Sequence, residues 1–572
     1  MGRETMRWWG WGDGIGEFDP IARPYFLPWV QKKIGLDGKT IKPVDRSTIH
    51  LPEPNIDVKF LDNLKKVLRA DQISCDEDVR LCHSYGKSYR DLLRMRMGIV
   101  SSSPDLVVYP ENHAHVEAIV RLAKEHNVCL IPFGGGTNIV GCVEPRENGK
   151  RSVVTIHMGT MDRLLNIDTK SLTATFEAGI LGPAIESKLN ALGYSLGHIP
   201  DSFEYSSLGG WIATRSAGQQ SDAYGKIEHM VIALKMASPA GTLITKPTPA
   251  CSIGPDLNQV VIGSEGTLGV ITEATVKIHA VPSHKEYYGF IFPNFASGVE
   301  AIYEMVHSGY KPTMIRLLDE SETEMAMYTG HRVSTTKHLM QKFQKLVVSK
   351  LMGYHTPCLL LMGFEGDLPK IKTSRTHCFK LCKKNKGISA GASAGRKWRK
   401  ARFDVPYLRD FSMDNMAMVD VAETATTWSN LLNLYYNVQA TLSKSIAKMG
   451  LPGFVACHIS HSYENGASLY FIYACKMIVG KEFEQYNYIK GLATDAIVKY
   501  GGSLSHHHAV GYEHQPWFAE EVGETGLIAL HGIKKALDPQ NISNPGKLMQ
   551  TEHPTPSIID GISINSLNID WT

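Results

Sequence analysis

The 572-residue sequence has no Cys-x-x-Cys pair among its ten cysteines, so neither a zinc ribbon nor a secreted disulfide framework has support. A reducing compartment is the expected setting. No apolar run approaches the roughly 20 residues of a membrane span. The opening Met1–Gly10 lacks a signal-peptide core, and Met6 stands where a myristoylation pattern needs Ser or Thr. Ile569-Asp-Trp-Thr572 is not a peroxisomal tripeptide. The expectation is a protein that is soluble or peripheral on a membrane. Charge of one sign is also scarce: a formal net charge of +3 gives no global attraction for nucleic acid. Two nucleotide motifs are missing as well. No Gly-x-Gly-x-x-Gly joins a strand to a helix, and Gly86-Lys87-Ser88 has Leu81 where a phosphate loop needs its first glycine. NAD and ATP readings fall with them.

The chain does have an ordinary folded composition, 43% hydrophobic and 20% charged. Its length allows about two to four domains, and no internal repeat is visible. Glycine is concentrated where it can matter. Pro132-Phe-Gly-Gly-Gly-Thr-Asn138 follows an apolar strand, and Gly263-Ser-Glu-Gly-Thr-Leu-Gly-Val-Ile-Thr272 lies further on. Between them are Pro200-Asp-Ser-Phe-Glu-Tyr-Ser-Ser-Leu-Gly-Gly-Trp211 and Thr214-Arg-Ser-Ala217. Consecutive glycines let backbone N–H groups curl around a diphosphate with no side chain in the way. A lone tight turn would explain one such segment; together they read as a flavin dinucleotide cradle.

Local patterns place these segments. A helix is expected near Lys59–Ala70 and a strand at Asp105–Pro110. Asn112 caps a helix with Val116, Ile119, Val120 and Ala123 on one face. Val128–Pro132 is a strand that delivers the chain into the triple glycine. A hairpin follows, with Leu165 and Ile167 inward, a turn at Asp168–Ser171, and Leu172, Ala174 and Phe176 continuing the alternation. Pro183 and Gly193 bracket a helix. The expected organisation is a region 1–100 packed on the core, an α+β domain over 101–282, a second α+β domain over 283–480, a helical region 481–548 and a tail 549–572. Lys383, Lys384, Lys386, Arg396, Lys397, Arg399, Lys400 and Arg402 form a basic cluster, read as a loop around Trp398. It is either a solvated loop or a contact for lipid headgroups or an anionic substrate.

Three adjacent histidines, His506, His507 and His508, cannot all face one way on a strand, whereas a loop rim lets two or three reach one site. Imidazole suits proton transfer near neutrality. Metal binding is the rival use, but no Cys, Asp or Glu constellation with ligand spacing accompanies them, and no metal is expected. Tyr470 lies on an alternating strand where an aromatic is usually core. Arg316, on the apolar Ile315–Leu318, is costly to bury without an anionic partner.

Over about residues 80–548 the chain resembles the vanillyl-alcohol-oxidase type of FAD-binding proteins, and within it the alkyldihydroxyacetonephosphate synthases. The wider resemblance rests on the cradle segments, Gly254-Pro-Asp-Leu257 and the closing Leu537–Lys547. The narrower one rests on Gly501-Gly-Ser-Leu-Ser-His-His-His508, His461-Ser-Tyr-Glu-Asn-Gly-Ala-Ser-Leu-Tyr-Phe471, Ile315-Arg-Leu-Leu-Asp319 and Trp211-Ile-Ala-Thr-Arg-Ser216. It implies an α+β fold: a two-part FAD-binding domain, an α+β substrate domain and a helical C-terminal region. FAD contacts are implied at Pro132, Phe133, Gly134, Gly135, Gly136, Thr137 and Asn138, and at Asp201, Ser202, Phe203, Glu204, Tyr205, Ser206 and Ser207. Others are implied at Thr214, Arg215, Ser216 and Ala217, and at Glu265, Gly266, Thr267, Leu268, Gly269, Val270 and Ile271. Residues 132–141 contain no His, Cys or Tyr, so that loop cannot bond the flavin covalently, and noncovalent FAD is expected.

The implied reaction exchanges the acyl group of 1-acyl-dihydroxyacetone phosphate for a long-chain fatty alcohol, with a flavin N5 adduct and no net redox. Tyr470 and His506–His508 move protons, Arg409 binds substrate, and Arg316 gives electrostatic support. Both long-chain substrates imply a hydrophobic tunnel and peripheral membrane contact, and the resemblance implies a peroxisome or related organelle. The reading needs no nucleic acid and allows a homodimer. Two alternatives remain at this stage: an FAD-linked 2-hydroxyacid dehydrogenase on the same fold, and a non-catalytic flavin-containing lipid-binding protein.

Overall fold

The computed structural model describes residues 5–14, 18–146, 151–329 and 357–549, with two short strands, Ile558–Ile559 and Ile562–Ser563, beyond them. Asn112 starts the helix His113–His126 by accepting the His115 N–H at 2.9 Å, a cap worth about 0.5–2 kcal/mol. The expected face of Val116, Ile119, Val120 and Ala123 is buried, and each large aliphatic there contributes roughly 1.5–3 kcal/mol. This helix is the crossover between two strands of one sheet, Leu106–Val108 and Cys129–Phe133, each paired in parallel with Val153–His157. Cys129–Phe133 is thus the outer strand of a four-stranded sheet, and it ends at the triple glycine.

The second sheet is antiparallel, in the order Leu164–Asp168, Thr173–Glu177, Val270–Lys277, Val231–Ser238 and Gly241–Ile244. Val270 enters it directly from the second glycine segment. Two expectations for the hairpin fail. A register shift between Leu164 and Asn166 turns Leu165 outward, at 41% exposure, and Leu172 takes a left-handed φ of 55° and is also exposed. The early helix is shorter than expected as well. It runs from Val58 to Leu64 and is followed by turns and a 3₁₀ turn at Ala70–Gln72.

A third, wholly antiparallel sheet has seven strands. Their order is Ile388–Gly391, His284–Phe292, Cys358–Gly366, Met314–Leu318, Gly453–Ser462, Gly466–Lys476 and Ala417–Thr427. One face is covered by helices, among them Trp428–Lys448 and Glu482–Lys499, over a core that includes Leu317, Ile459, Leu469 and Phe471. The other face, one residue out of phase in the pleat, is left for the site.

The C-terminal part is helical, Glu482–Lys499 and Gln515–Leu537, with the histidine triplet in the connection. The closing run returns to the first sheet. Leu130 N–H donates to Ile542 O, and Asn544 N–H donates to Leu130 O, both at 2.8 Å. At the other end, the helix Phe26–Ile34 packs on the seven-stranded sheet, and Trp29 and Lys33 both donate to Glu324.

Candidate active site

The cradle is built from backbone. Gly134–Gly136 lie so close to the 205–207 segment that a Cβ at Gly135 would collide with Tyr205 O, and one at Gly134 with Ser207 Oγ. Gly136 has φ +67° over the Phe133 ring. Asn138 Oδ1 fixes the loop by accepting the N–H groups of Val140 and Cys142 at 3.0 and 2.8 Å. Glu265, at φ 53°, accepts the N–H groups of Val510 and Gly511, both at 2.8 Å, and the Cys142 thiol at 3.2 Å. Asn544 Nδ2 then donates to Cys142 O and Glu265 O, which ties the two glycine segments together.

These segments wall one cavity of about 1710 Å³. Ligand pockets usually run to roughly 300–1000 Å³, so there is room for a dinucleotide and a second ligand. Of the expected cofactor residues, Pro132–Asn138, Asp201, Ser202, Ser206, Ser207, Thr214, Ser216, Ala217, Glu265, Gly266 and Gly269–Ile271 line it. A flat ring system fits a wall of glycine, serine and alanine, and the residues present suit FAD.

The others lie off the cavity for identifiable reasons. Phe203 stacks on Phe403 at 5.8 Å, Tyr205 packs edge-on against Trp11 at 5.9 Å, and Glu204 is exposed. Arg215 reaches Gln259 O instead, Thr267 Oγ1 donates to Ser264 O, and Leu268 is in the core. Cys142, one residue past the 132–141 loop, does line the wall. Burial, with Glu265 beside it, pushes its thiol well up, so it carries little thiolate.

Strand register assembles the reactive face. Tyr470 stands directly opposite Glu423 on one neighbouring strand and His458 on the other. Its ring stacks over His458 at 4.8 Å and 16° and over His507 at 5.9 Å and 23°. Burial, then Asp201, raises the Tyr470 phenol, which stays protonated. Arg316 is on the same face, and its anionic partner is Glu322 at 3.4 Å, which also bonds His458 Nδ1 at 2.7 Å. Burial works against the Glu322 carboxylate, but His458 and Arg316 more than reverse this and hold it below its usual value. Arg409, on the helix Val405–Asp414, lines the cavity and donates to Lys87 O. Lys87 is a second cation on the wall, drawn down to about 8 by burial.

His507 and His508 reach the cavity; His506 stands behind them. His506 Nε2 is 2.5 Å from Tyr463 Oη, and its Nδ1 is 2.9 Å from His507 Nδ1. His461, which sequence reasoning did not single out as a site residue, lies across from them with ring centroids 5.0 and 5.6 Å from His506 and His507. Burial lowers His461, His506 and His508 well below ordinary imidazole values. Neighbouring cations and imidazoles add to this, His507 first for His461 and His508, Lys226 first for His506. They are neutral at pH 7. The ring nitrogens of His461, His506 and His507 lie within 4.8 Å of one another, a spacing that a metal ion also tolerates. Glu423 and His458 were missed too; each sits on a strand whose neighbours are mostly apolar.

From the reactive face the cavity continues along Phe18, Phe26, Trp29, Ile34, Val419 and Phe454, an apolar wall supplied largely by the first 34 residues. The basic cluster is not a loop. It spans the end of the helix Leu368–Lys384, a strand and the helix Ala392–Ala401. Arg396, Lys397, Arg399 and Lys400 are exposed there, and Lys397, Trp398, Lys400 and Arg402 line the cavity, so its rim on that side is basic.

Comparison with known proteins agrees with this geometry. Residues 104–246 match the family described as FAD binding domain, and residues 281–548 match FAD linked oxidases, C-terminal domain. The alkyldihydroxyacetonephosphate synthase of Dictyostelium discoideum is 39% identical over 98% of this chain and 97% of its own length. That of Trypanosoma brucei brucei is 38% identical over 97% and 94%. A solved alkyldihydroxyacetonephosphate synthase superposes with a TM-score of 0.82 at 37% identity, covering 95% of this chain and 99% of that one. Cradle, reactive face and full-length similarity coincide, and the chain belongs to the alkyldihydroxyacetonephosphate synthase family of FAD-dependent enzymes.

Proposed function

We propose that this chain exchanges the acyl group of 1-acyl-dihydroxyacetone phosphate for a long-chain fatty alcohol, giving the 1-alkyl ether and a free fatty acid. The observation that carries the reading is a single cavity in which a backbone cradle, a protonated phenol beside neutral imidazoles, and a long apolar wall adjoin. The bond from C1 to the acyl oxygen breaks, the bond from C1 to the alcohol oxygen forms, and no electrons are gained or lost. FAD, held without a covalent bond, supplies an electron-accepting ring when bound.

The ketone beside C1 acidifies its hydrogen, and His507 and His508 at the wall accept that proton. His506 passes it on through its contacts with His507 and Tyr463. The Tyr470 hydroxyl donates to the departing carboxylate and is restored by the proton of the incoming alcohol, and the histidine group returns a proton to C1 to complete the ether. Arg409 holds the phosphate, for which a guanidinium fork is suited, and Arg316, tied to Glu322, gives electrostatic support. The apolar wall takes the chains, and the basic helix at the rim suits an anionic membrane surface. No described helix is long and apolar enough to cross a membrane. The setting proposed with this reading is a membrane face in a peroxisome or related organelle.

Incubation with acyl-dihydroxyacetone phosphate and labelled hexadecanol should give labelled ether and free fatty acid in equal amounts, with no electron acceptor added. Absence of ether product would overturn the reading. A second reading, a 2-hydroxyacid dehydrogenase with a metal at His461, His506 and His507, is favoured only by the spacing of those nitrogens. It requires that anaerobic 2-hydroxy acids bleach the flavin and that chelators abolish this.

The pH dependence has a definite sign. The imidazoles of His461, His506 and His508 are lowered, so they remain neutral and able to accept protons below the ordinary value of about 6.5. The acid limb that these three groups impose on kcat/KM should therefore lie below that value. A break above about pH 6.5 would contradict it.

A further inference from the structure

Glu423 is buried, on the strand Ala417–Thr427, with its carboxylate beneath the histidine loop. Oε2 accepts the His506 N–H at 2.7 Å, and Oε1 accepts those of His507 and His508 at 3.2 and 3.0 Å. Ser505 Oγ donates to Oε1 at 2.6 Å. Three successive backbone donors and a hydroxyl thus converge on one carboxylate, which dictates how the loop is folded. The side chains face it too: His507 Nδ1 is 3.4 Å from Oε2, and His508 Nδ1 is 3.7 Å from Oε1. Burial opposes the charge on Glu423, but His507, then His508, the His507 side-chain hydrogen bond and His506, hold its carboxyl well below the usual range.

The same groups suggest a use for that charge. Around His507 the neighbouring elements contribute His461, Tyr470, His506 and His508, and Lys226 bonds His506 O at 2.6 Å. None of these is an anion. Asp420, three residues from Glu423 on its strand, is paired with Lys490 at 3.2 Å. Asp201, which acts on Tyr470, lines the same cavity, but among the described residues the carboxylate in direct contact with His507 is that of Glu423, at 3.4 Å.

Resting on the reading of the triplet as the proton-transfer group, we propose that Glu423 is the positioning residue of the reaction. Its carboxylate fixes the orientation of His506–His508 and stabilises the imidazolium formed when His507 takes the C1 proton. It acts through His507 and does not touch substrate.

The test compares Glu423→Gln, Glu423→Asp and His507→Ala in the flavin-loaded enzyme. Glutamine keeps the volume and one carbonyl acceptor but removes the charge. Glu423→Gln should lower kcat by roughly 10²–10⁴-fold and leave KM and flavin content near those of the parent. The acid limb of its kcat/KM profile should change position, because the histidine triplet loses the charge it contacts. Glu423→Asp, which restores the charge at a slightly longer reach, should recover at least part of that loss. A Gln variant with parental kcat, while His507→Ala is inactive, overturns the role of Glu423 alone. So does a loss confined to KM or to flavin content. An active His507→Ala overturns the proton-transfer reading itself, and this proposal with it.

Discussion

Replacing His507 with alanine should lower ether formation by roughly 10²–10⁴-fold, the range of a positioned proton-transfer group. At 1.36 kcal/mol per decade this corresponds to about 3–5 kcal/mol of barrier. His507 is the member of the triplet placed between the cavity and the rest of the network, with His506 Nδ1 at 2.9 Å and the Tyr470 ring stacked on it. Its removal leaves the cradle alone, because that loop meets the second glycine segment through the N–H groups of Val510 and Gly511 on Glu265. Tyr470→Phe keeps the ring stack and removes only the hydroxyl, so its loss should be of the same kind without structural change. Initial rates with equal flavin content measure both. A His507→Ala enzyme at parental rate would remove the imidazole from the chemistry.

Gly135→Ala should give a protein with less than about a tenth of the parental flavin, since the added Cβ meets main chain that is not free to yield. The obstacle is Tyr205 O, in a segment fixed by the Tyr205 and Ser206 N–H groups on Ser202 O, both at 3.0 Å. The glycine loop must move, and the loop is the wall of the cradle. Gly532→Ala is the matched control. Nothing lies within 4 Å of its added Cβ, and it sits within the helix Gln515–Leu537. It should gain up to about 1 kcal/mol of stability and keep its flavin. The flavin released on acid precipitation reads both variants, and release of all the flavin from the parent enzyme also checks that the bond is noncovalent. Normal flavin in Gly135→Ala would mean that the ligand does not need this close approach.

The cradle was legible because close backbone approach is written in residue type. A triple glycine after an apolar strand has few other uses, and Pro132–Asn138 all line the cavity. Strand alternation alone left Tyr470 as a core aromatic. What makes it a site residue is its alignment with Glu423 and His458, set by pairing across three strands that local pattern cannot register. Leu165 shows the same limit in reverse, since one register shift moves a side chain to the other face. The basic cluster misled through its Ser, Ala and Gly content. Ala392–Ala401 has enough alanine and long side chains to be helical, and packing against the strand His284–Phe292 settles it. Arg316 was legible as a buried cation in need of an anion, but the identity of that anion, Glu322, was not.

The most direct measurement follows the hydrogens at C1. Acyl-dihydroxyacetone phosphate carrying deuterium at both C1 positions should yield ether with one deuterium replaced by solvent hydrogen, because a base on the cavity wall removes it before the alcohol enters. Ether that retains both deuterium atoms would contradict proton removal at C1 and leave Tyr470 and the histidine triplet without their role.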